Sequence, residues 1–385
     1  MFLEKTIKRN PKLIEAAFEL HRSGQISPDT YLIDINTLTA NAQKIKKEAD
    51  KYGVKLYFMT KQLGRNPLIA SKISEIGYEG AVTVDFREAQ NLIENNIKIG
   101  NVGHLVQIPS NSIKKILIAN PLIVTVYSYD KIKEIDMQAC ALGKIQDIML
   151  RIYDDKDEMY PSQNAGFRLQ ELTELISSIK KLKNVKLAGL TSFPCFIYDE
   201  KQRDIMPTHN VLTLKKAEEI CSKNGIRITQ INMPSATCVR TIQKIADLGG
   251  THGEPGHGLT GSTPMHRDFD LEELPAVVYV SEVSHNFEAS AYIFGGGHYR
   301  RSHMENAIVG RSMTDSIQDK VITPDPQSID YHIQLQHSHE VGKCVVMSFR
   351  SQIFVTRSHV AVVDLSGGQI HLLGVYDSQG KIIGR

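Results

Sequence analysis

The sequence predicts an α/β chain, a (β/α)8 barrel followed by a mostly β C-terminal domain. Two observations point there. Strand-like runs near residues 55–60, 80–85, 102–108, 122–127, 145–153, 185–193, 228–233 and 250–254 alternate with helical patterns. Eight strands at that spacing have the length and rhythm of a closed parallel barrel, more than of an open doubly wound sheet. After about residue 270 the rhythm stops, and short alternating runs with glycine-rich turns take over. The expected domains are therefore 1–270, a barrel with an N-terminal helical extension, and 271–385, a C-terminal β domain.

In chain order, the segment Pro11–Leu20 places apolar residues at helical spacing, one helix or two up to Ser27-Pro28-Asp29, which breaks the pattern. Tyr31–Ile35 reads as a strand. The helix expected from Thr37 carries Leu38, Ala42, Ile45 and Ala49 down one face. Helical patterns such as Leu68–Ile76 and Leu172–Lys180 separate the barrel strands. In the late part, Ala276–Ser281, Cys344–Phe349, Gln352–Thr356 and His359–Asp364 read as strands. Gly295-Gly296-Gly297 and Gly367-Gly368 read as turns, and Asp315–Asp330, rich in Pro, Asp and Ser, as a loop.

Composition bounds the function. A chain of 385 residues with 41% hydrophobic and 23% charged residues is an ordinary globular enzyme with a sizeable core. A net charge of +2 with interspersed signs gives no reason to expect nucleic acid or an anionic membrane surface as partner. Cys140, Cys195, Cys221, Cys238 and Cys344 are odd in number and scattered, which fits a reducing cytoplasm and neither a disulfide framework nor a structural zinc. No apolar stretch approaches the roughly 20 residues of a membrane span, and the N-terminus lacks a signal-peptide core.

Parallel barrels draw their chemistry from the C-terminal ends of their strands. Lys61 closes the first strand-like run, where an amine can form a Schiff base. His104 and Gln107 belong to the third, and the fifth leads to Gly166-Phe167-Arg168. The last two end in Ser235-Ala236-Thr237 and Glu254-Pro255-Gly256. Small, hydroxylated and glycine residues there suit a phosphate monoester, because backbone N–H groups approach closely where side chains are small. Lysine, carboxylate and phosphate cradle together are what a pyridoxal phosphate site requires.

These residues resemble the fold-type III pyridoxal phosphate enzymes, which include the alanine racemases and the basic amino-acid decarboxylases. Tyr31–Asn41 is similar to the strand and helix that open that fold, and Gly80–Ala89 to its second strand with a Glu-Ala helix start. Lys61 matches the cofactor lysine, Gly166-Phe167-Arg168 the racemases' Gly-Met-Arg segment, and Glu254-Pro255-Gly256 the decarboxylases' Glu-Pro-Gly motif. More closely, the chain resembles the YhfX-like branch of predicted amino-acid racemases.

The resemblance implies roles. Lys61 would carry the cofactor as a Schiff base and, once displaced by substrate, act as the base at Cα. Glu254 would face the pyridine nitrogen, where alanine racemases carry arginine. Arg168 would clamp the substrate carboxylate or bond the phenolic oxygen. Ser235, Ala236, Thr237, Gly256 and Thr260 would hold the phosphate, and His104 would stack on or bond to the ring. Ser192 falls near the racemases' histidine behind the ring. The second acid/base would be Tyr299, following the triple glycine, or Cys344; in the family this group comes from a partner subunit, so a homodimer is implied.

The function expected is an amino-acid racemase or epimerase acting on a small-molecule substrate by Cα proton abstraction. The alternative is a fold-type III lyase. A decarboxylase would carry a Cys-Asp-x-x-Asp-like element, but Val345 and Val346 follow Cys344. A metal-dependent dehydratase or aldolase would carry His-x-Cys; His337 and His339 stand near Cys344 without that pattern, so no metal is expected.

Overall fold

The computed structural model describes residues 1–384 and divides into two compact units. The chain opens with helices α1 (Phe2–Arg9) and α2 (Pro11–Arg22), strand β1 (Thr30–Asp34) and helix α3 (Ile35–Tyr52). The barrel strands that follow are β2 (Lys55–Met59), β3 (Gly80–Thr83), β4 (Ile99–Val102), β5 (Ile123–Val126), β6 (Gln146–Tyr153), β8 (Val185–Thr191), β11 (Gln230–Asn232) and β12 (His252–Gly253). The short β7 (Phe167–Arg168) pairs only with β6, while β9 (Phe196–Asp199) and β10 (Asp204–Pro207) form a hairpin. The late strands are β13 (Val277–Phe287), β14 (Ser290–Phe294), β15 (Asn306–Gly310), β16 (Ser316–Ile322), β17 (His332–Leu335), β18 (Cys344–Met347), β19 (His359–Asp364), β20 (His371–Tyr376) and β21 (Ile382–Gly384).

One unit, Ile45–Thr60 with Ala70–Gly256, is the barrel. Its eight strands run β2-β3-β4-β5-β6-β8-β11-β12, and β12 pairs in parallel with β2 to close the ring. At that seam the Lys55 N–H donates to the Thr251 carbonyl and the Met59 N–H to the Pro255 carbonyl, at 2.9 and 3.0 Å. All eight expected strands form. The third lies earlier than expected, and residues 103–108 are a loop. Gly103 turns the chain at φ +88°, where a Cβ would meet the Thr125 carbonyl oxygen at 2.5 Å.

The other unit comprises Met1–Lys44, Lys61–Ile69 and the chain from His257 onward. Its sheet runs β14-β17-β16-β15-β18-β13-β1-β19-β20-β21. β1 is therefore not a barrel strand: it is antiparallel to β13 and parallel to β19, with Leu32 opposite Val278 and Ala361. All five of its residues are buried, so it belongs in the middle of a covered sheet. The α2 face Leu13, Ile14, Ala17 and Leu20 packs on Val278, Val346, Ala361 and Val363, which moves the N-terminal helices out of the expected 1–270 domain. Residues 61–69 join this unit too. A Cβ on Gly64 would meet Val360 Cγ2 at 2.7 Å, and the Arg65 guanidinium donates to Gln379 and lies 5.2 Å from the Phe354 ring centre.

Two late expectations fail for readable reasons. Gln352–Thr356 is no strand but holds a 3-10 turn, Ile353–Val355, in which Ile353 is buried and Val355 exposed. Asp315–Asp330 is not all loop, because β16 occupies its first half. The polar residue Asp319 points inward there, and its carboxylate accepts from the rings of His337 and His339 at 2.8 and 2.7 Å. Among the described residues, no helix is long and apolar enough to cross a membrane.

Two measurements test the packing. Leu13 is fully buried under the sheet, so Leu13→Ala should cost about 2–5 kcal/mol in urea denaturation while the exposed Lys12→Ala changes little. On β12, His252 is buried, its ring stacked on Tyr57 at 5.2 Å. Burial, with the nearby Lys55 charge, pushes its pKa down to about 4. The unfolded chain then takes up a proton below its ordinary value of about 6.5 that the fold refuses until about pH 4, so stability is lost as pH falls through that window. Comparing pH 7 with pH 4.5, His252→Phe should lose roughly 2 kcal/mol less than the wild type.

Candidate active site

The barrel's C-terminal end is built around a buried acid. Glu254 follows the two residues of β12, and its side chain is 1% exposed. Its Oε1 accepts from Asn232 Nδ2 at 2.6 Å and from Asn101 Nδ2 at 3.3 Å, the amides that end β11 and lie within β4. Asn101 is itself fixed, because its Oδ1 accepts from Thr125 Oγ1 on β5 at 2.7 Å. The Glu254 N–H donates to Thr237 Oγ1 at 3.1 Å. Gly253 permits this approach; a Cβ there would lie 3.0 Å from Thr237 Cγ2 and 3.2 Å from Ile245 Cδ1.

Beside the acid stands an aromatic wall. His104, just past β4, is fully buried with Nε2 3.4 Å from Glu254 Oε2. Its ring meets Phe193 edge-on at 5.6 Å, and Phe193 meets Tyr160 at 5.5 Å. The Tyr127 hydroxyl donates to the His104 carbonyl, and burial raises its pKa. Arg151, near the end of β6, is 2% exposed and lies 5.4 Å from the Tyr127 ring centre and 5.9 Å from that of Phe193. At the root of the barrel mouth, Thr60 bonds to the buried Glu88, whose Oε2 accepts from the Val84 N–H at 2.6 Å.

The loop after β11 carries Ser235 and Ala236 at φ +97° and +53°, a left-handed backbone that non-glycine residues seldom adopt away from functional turns. The Ser235 hydroxyl donates to the Phe196 carbonyl, so its backbone, not its hydroxyl, is what it can offer a ligand. The loop enters the helix Val239–Asp247, and a helix N-terminus suits an anion.

In the other unit, Lys61 is half-buried and opens the 3-10 turn Lys61–Leu63. The neighbouring Gln62 carbonyl accepts from Ser351 Oγ at 3.0 Å, and the Ser351 carbonyl lies 3.0 Å from His257 Nε2. Burial, then the charges of Arg350 and Lys61, hold the His257 imidazole well below its ordinary pKa, so it is neutral beside two cations. Thr260 is buried and bonds to the His257 carbonyl and to Ser262 Oγ, at 3.1 and 2.6 Å, within its own turn. Gly256, buried, ends the barrel unit one residue before that turn.

The remaining expected residues are placed as follows. Arg168 is exposed, its Nη2 2.6 Å from Asp155 Oδ1 and its guanidinium 6.0 Å from the Tyr153 ring centre. The arginine buried at the end of β6 is Arg151. Cys344 sits inside the apolar core under α2, and burial raises its thiol far above the range of a proton carrier. Tyr299 is half-buried on the turn after the triple glycine, its hydroxyl accepting from Arg301 Nε at 3.0 Å. Ser192 is buried and accepts from Asn210 Nδ2 at 2.9 Å. Sequence reasoning missed Asn101, Asn232, Tyr127, Arg151 and Phe193. The signal for Asn232 and Arg151 was their place at strand ends; Asn101 was hidden because β4 was placed three residues late.

A pyridoxal phosphate ring needs an acid for its nitrogen, a wall for its face and N–H groups for its phosphate. The barrel unit has a carboxylate fixed by two amides, an aromatic cluster, and a left-handed loop at a helix start. This donor set fits the cofactor. Residues 33–264 match the family model described as alanine racemase, N-terminal domain, and residues 278–372 match the model described as YhfX-like, C-terminal domain. An uncharacterized protein YhfX of Escherichia coli (strain K12) is 40% identical over 386 residues, covering 100% of both chains. Among solved structures, an alanine racemase of Clostridium difficile 630 in complex with cycloserine is similar at TM-score 0.66 and 16% identity, covering 91% of this chain and 98% of that one. A D-threonine aldolase from Filomicrobium marinum (TM-score 0.64, 12% identity, 92% and 95% covered) has the same fold. So does a diaminopimelate decarboxylase from Helicobacter pylori complexed with L-lysine (0.63, 15%, 91% and 94%). The chain therefore belongs to the alanine racemase N-terminal domain family of fold-type III enzymes, which use pyridoxal phosphate, and to its YhfX-like branch.

Proposed function

We propose that the chain is a pyridoxal phosphate-dependent racemase or epimerase of amino acids, working by removal and return of the Cα proton. The observation that carries this reading is the buried Glu254 carboxylate, which follows β12, the strand paired with β2, and is held by Asn232 on β11 and Asn101 on β4. The chain leaves β2 through Thr60 into Lys61, and the Met59 N–H reaches the carbonyl of Pro255, the residue after Glu254. When bound, the cofactor withdraws electrons from the substrate's Cα and makes its proton removable.

The residues of the chain supply the rest. Lys61 holds the cofactor and takes or returns the proton on its own side. Glu254, oriented in advance by its two amide donors, would face the cofactor's ring nitrogen and favour positive charge there. The Ser235–Thr237 loop would hold the phosphate, Gly256 and Thr260 are its further candidates, and His104 and Phe193 would shield the ring from water. Tyr299 is the second proton carrier, supplied by a second copy in a homodimer; the sealed Cys344 thiol supports tyrosine over cysteine. The five cysteines, all free, support a reducing cytoplasm.

Solvent-deuterium exchange at Cα, followed over a panel of L- and D-amino acids, tests the reaction. Exchange with inversion is expected; release of CO2 or ammonia instead would assign the protein to the lyases. Lys61→Ala and Tyr299→Phe should each slow exchange by about 10²–10⁴-fold, with the loss falling on opposite enantiomers. After borohydride reduction and dialysis, cofactor should remain on the wild type and leave Lys61→Ala.

A further inference from the structure

Arg151 carries a feature that the reading above does not use. Its side chain is 2% exposed at the barrel's C-terminal end. Nη2 donates to the Gln163 carbonyl at 2.9 Å and Nη1 lies 3.4 Å from the Tyr127 hydroxyl. No carboxylate among the described residues lies within ion-pairing distance of it, whereas the exposed Arg168 has Asp155 at 2.6 Å. A buried cation is costly unless an anion compensates it, and guanidinium has five donors in a fork that matches a carboxylate. Two rings flank it, Tyr127 and Phe193, and these lower the local dielectric and strengthen any charge that pairs there.

Its place in the ring separates it from the phosphate loop. Ser235–Thr237 follows β11, and β8 stands between β11 and β6. Phe193 and Tyr127 connect Arg151 to His104, which borders Glu254. The segment carrying Gln163 is anchored independently of Arg151. Asp157 Oδ1 lies 2.7 Å from His209 Nδ1 and accepts from Thr213 Oγ1 at 2.8 Å, and Glu158 and Asn210 bond to each other through both backbone groups of Glu158.

We propose that Arg151, and not Arg168, is the residue that recognises the α-carboxylate of the substrate. This rests on the amino-acid reading of the site, and it makes the carboxylate the group that a substrate must present. The cofactor's phenolic oxygen is the other anionic oxygen that a guanidinium could take, and the experiment separates the two.

Cofactor-loaded wild type, Arg151→Gln, Arg151→Lys and Arg168→Gln are titrated with propionate and with uncharged propionamide, reading the thermal melting midpoint. Each sample's pyridoxal phosphate affinity is measured alongside from its visible absorbance. Wild type and Arg168→Gln should be stabilised by propionate and not by propionamide. Arg151→Gln should lose that discrimination at least tenfold, Arg151→Lys should keep part of it, and cofactor affinity should change little. The proposal is overturned if wild type does not discriminate, if Arg151→Gln or Arg151→Lys discriminates like wild type, or if Arg151→Gln loosens only the cofactor. Absence of cofactor uptake by the wild type would instead refute the pyridoxal phosphate reading, while the propionate comparison still decides the role of Arg151.

Discussion

The barrel's C-terminal end is organised around one carboxyl group held out of water. An ionised acid at 1% exposure is costly to desolvate, and only fixed hydrogen bonds or a cation offset that cost. Two neutral amides are part of that offset here, and His104 Nε2 stands 3.4 Å from the other oxygen. Asn232 and Asn101 donate to one oxygen of Glu254, and Thr125 holds Asn101 in turn, so four barrel strands contribute to one anion. Small residues nearby follow from the same requirement. Gly253 lets the strand reach Thr237, and the left-handed Ser235-Ala236 turn brings the next loop alongside. An acid prepared in this way is suited to a ring nitrogen that becomes positive, because the field is in place before the charge appears.

A second constraint comes from how the chain is threaded. The segment that carries Lys61 leaves the barrel strand and immediately packs with the β unit, through Gly64 against Val360, Arg65 with Gln379, and Gln62 with Ser351. The turn after Glu254 does the same through His257 and Ser351. Both chain segments that bear the principal candidate groups therefore continue, within three residues of the group, into contacts of the β unit. Ser351 is part of that anchoring, and Gln352, which opens the expected late strand, starts a turn in which its carbonyl accepts from the Val355 N–H. Their hydrogen-bonding duties explain why the segment forms a turn where its apolar pattern favours a strand.

The barrel was readable in the sequence because apolar strand runs such as Leu56–Met59 and Ile148–Leu150 alternate with helical patterns in a rhythm that survives errors of two or three residues. The site was readable only in part. Lys61 and Glu254 stand in distinctive local contexts. Asn101, Asn232 and Arg151 do not, since an asparagine or arginine at a strand end looks the same whether it faces a ligand or water. Arg168 shows the converse: a motif-like context, yet a side chain that three-dimensional packing leaves at the surface beside Asp155. Tyr31–Ile35 reads as a strand from the sequence, but its apolar residues suit any covered sheet. Only the tertiary partners Val278 and Ala361 decide which sheet it joins. β16 was missed for the opposite reason, its one inward acid making a strand read as a loop.

The turn bearing Tyr299 is shaped by acids from elsewhere in the β unit. Gly296 sits at φ +130°, and a Cβ there would fall 2.0 Å from Asp29 Oδ2, so the glycine backbone lies directly against that carboxylate. Asp330 Oδ2 accepts from the N–H groups of Gly296 and His298, at 3.1 and 3.2 Å. Asp29 accepts from the Tyr279 hydroxyl at 2.9 Å and from Ser358, and burial raises its pKa to about 6 despite those bonds and the nearby Arg357. The triple glycine thus serves to fit a turn between two acids. The conformation of the glycine turn is set by Asp29 from the N-terminal segment and Asp330 from the segment before β17, while Tyr299 itself is held within its own loop by Arg301 and the Ser302 N–H.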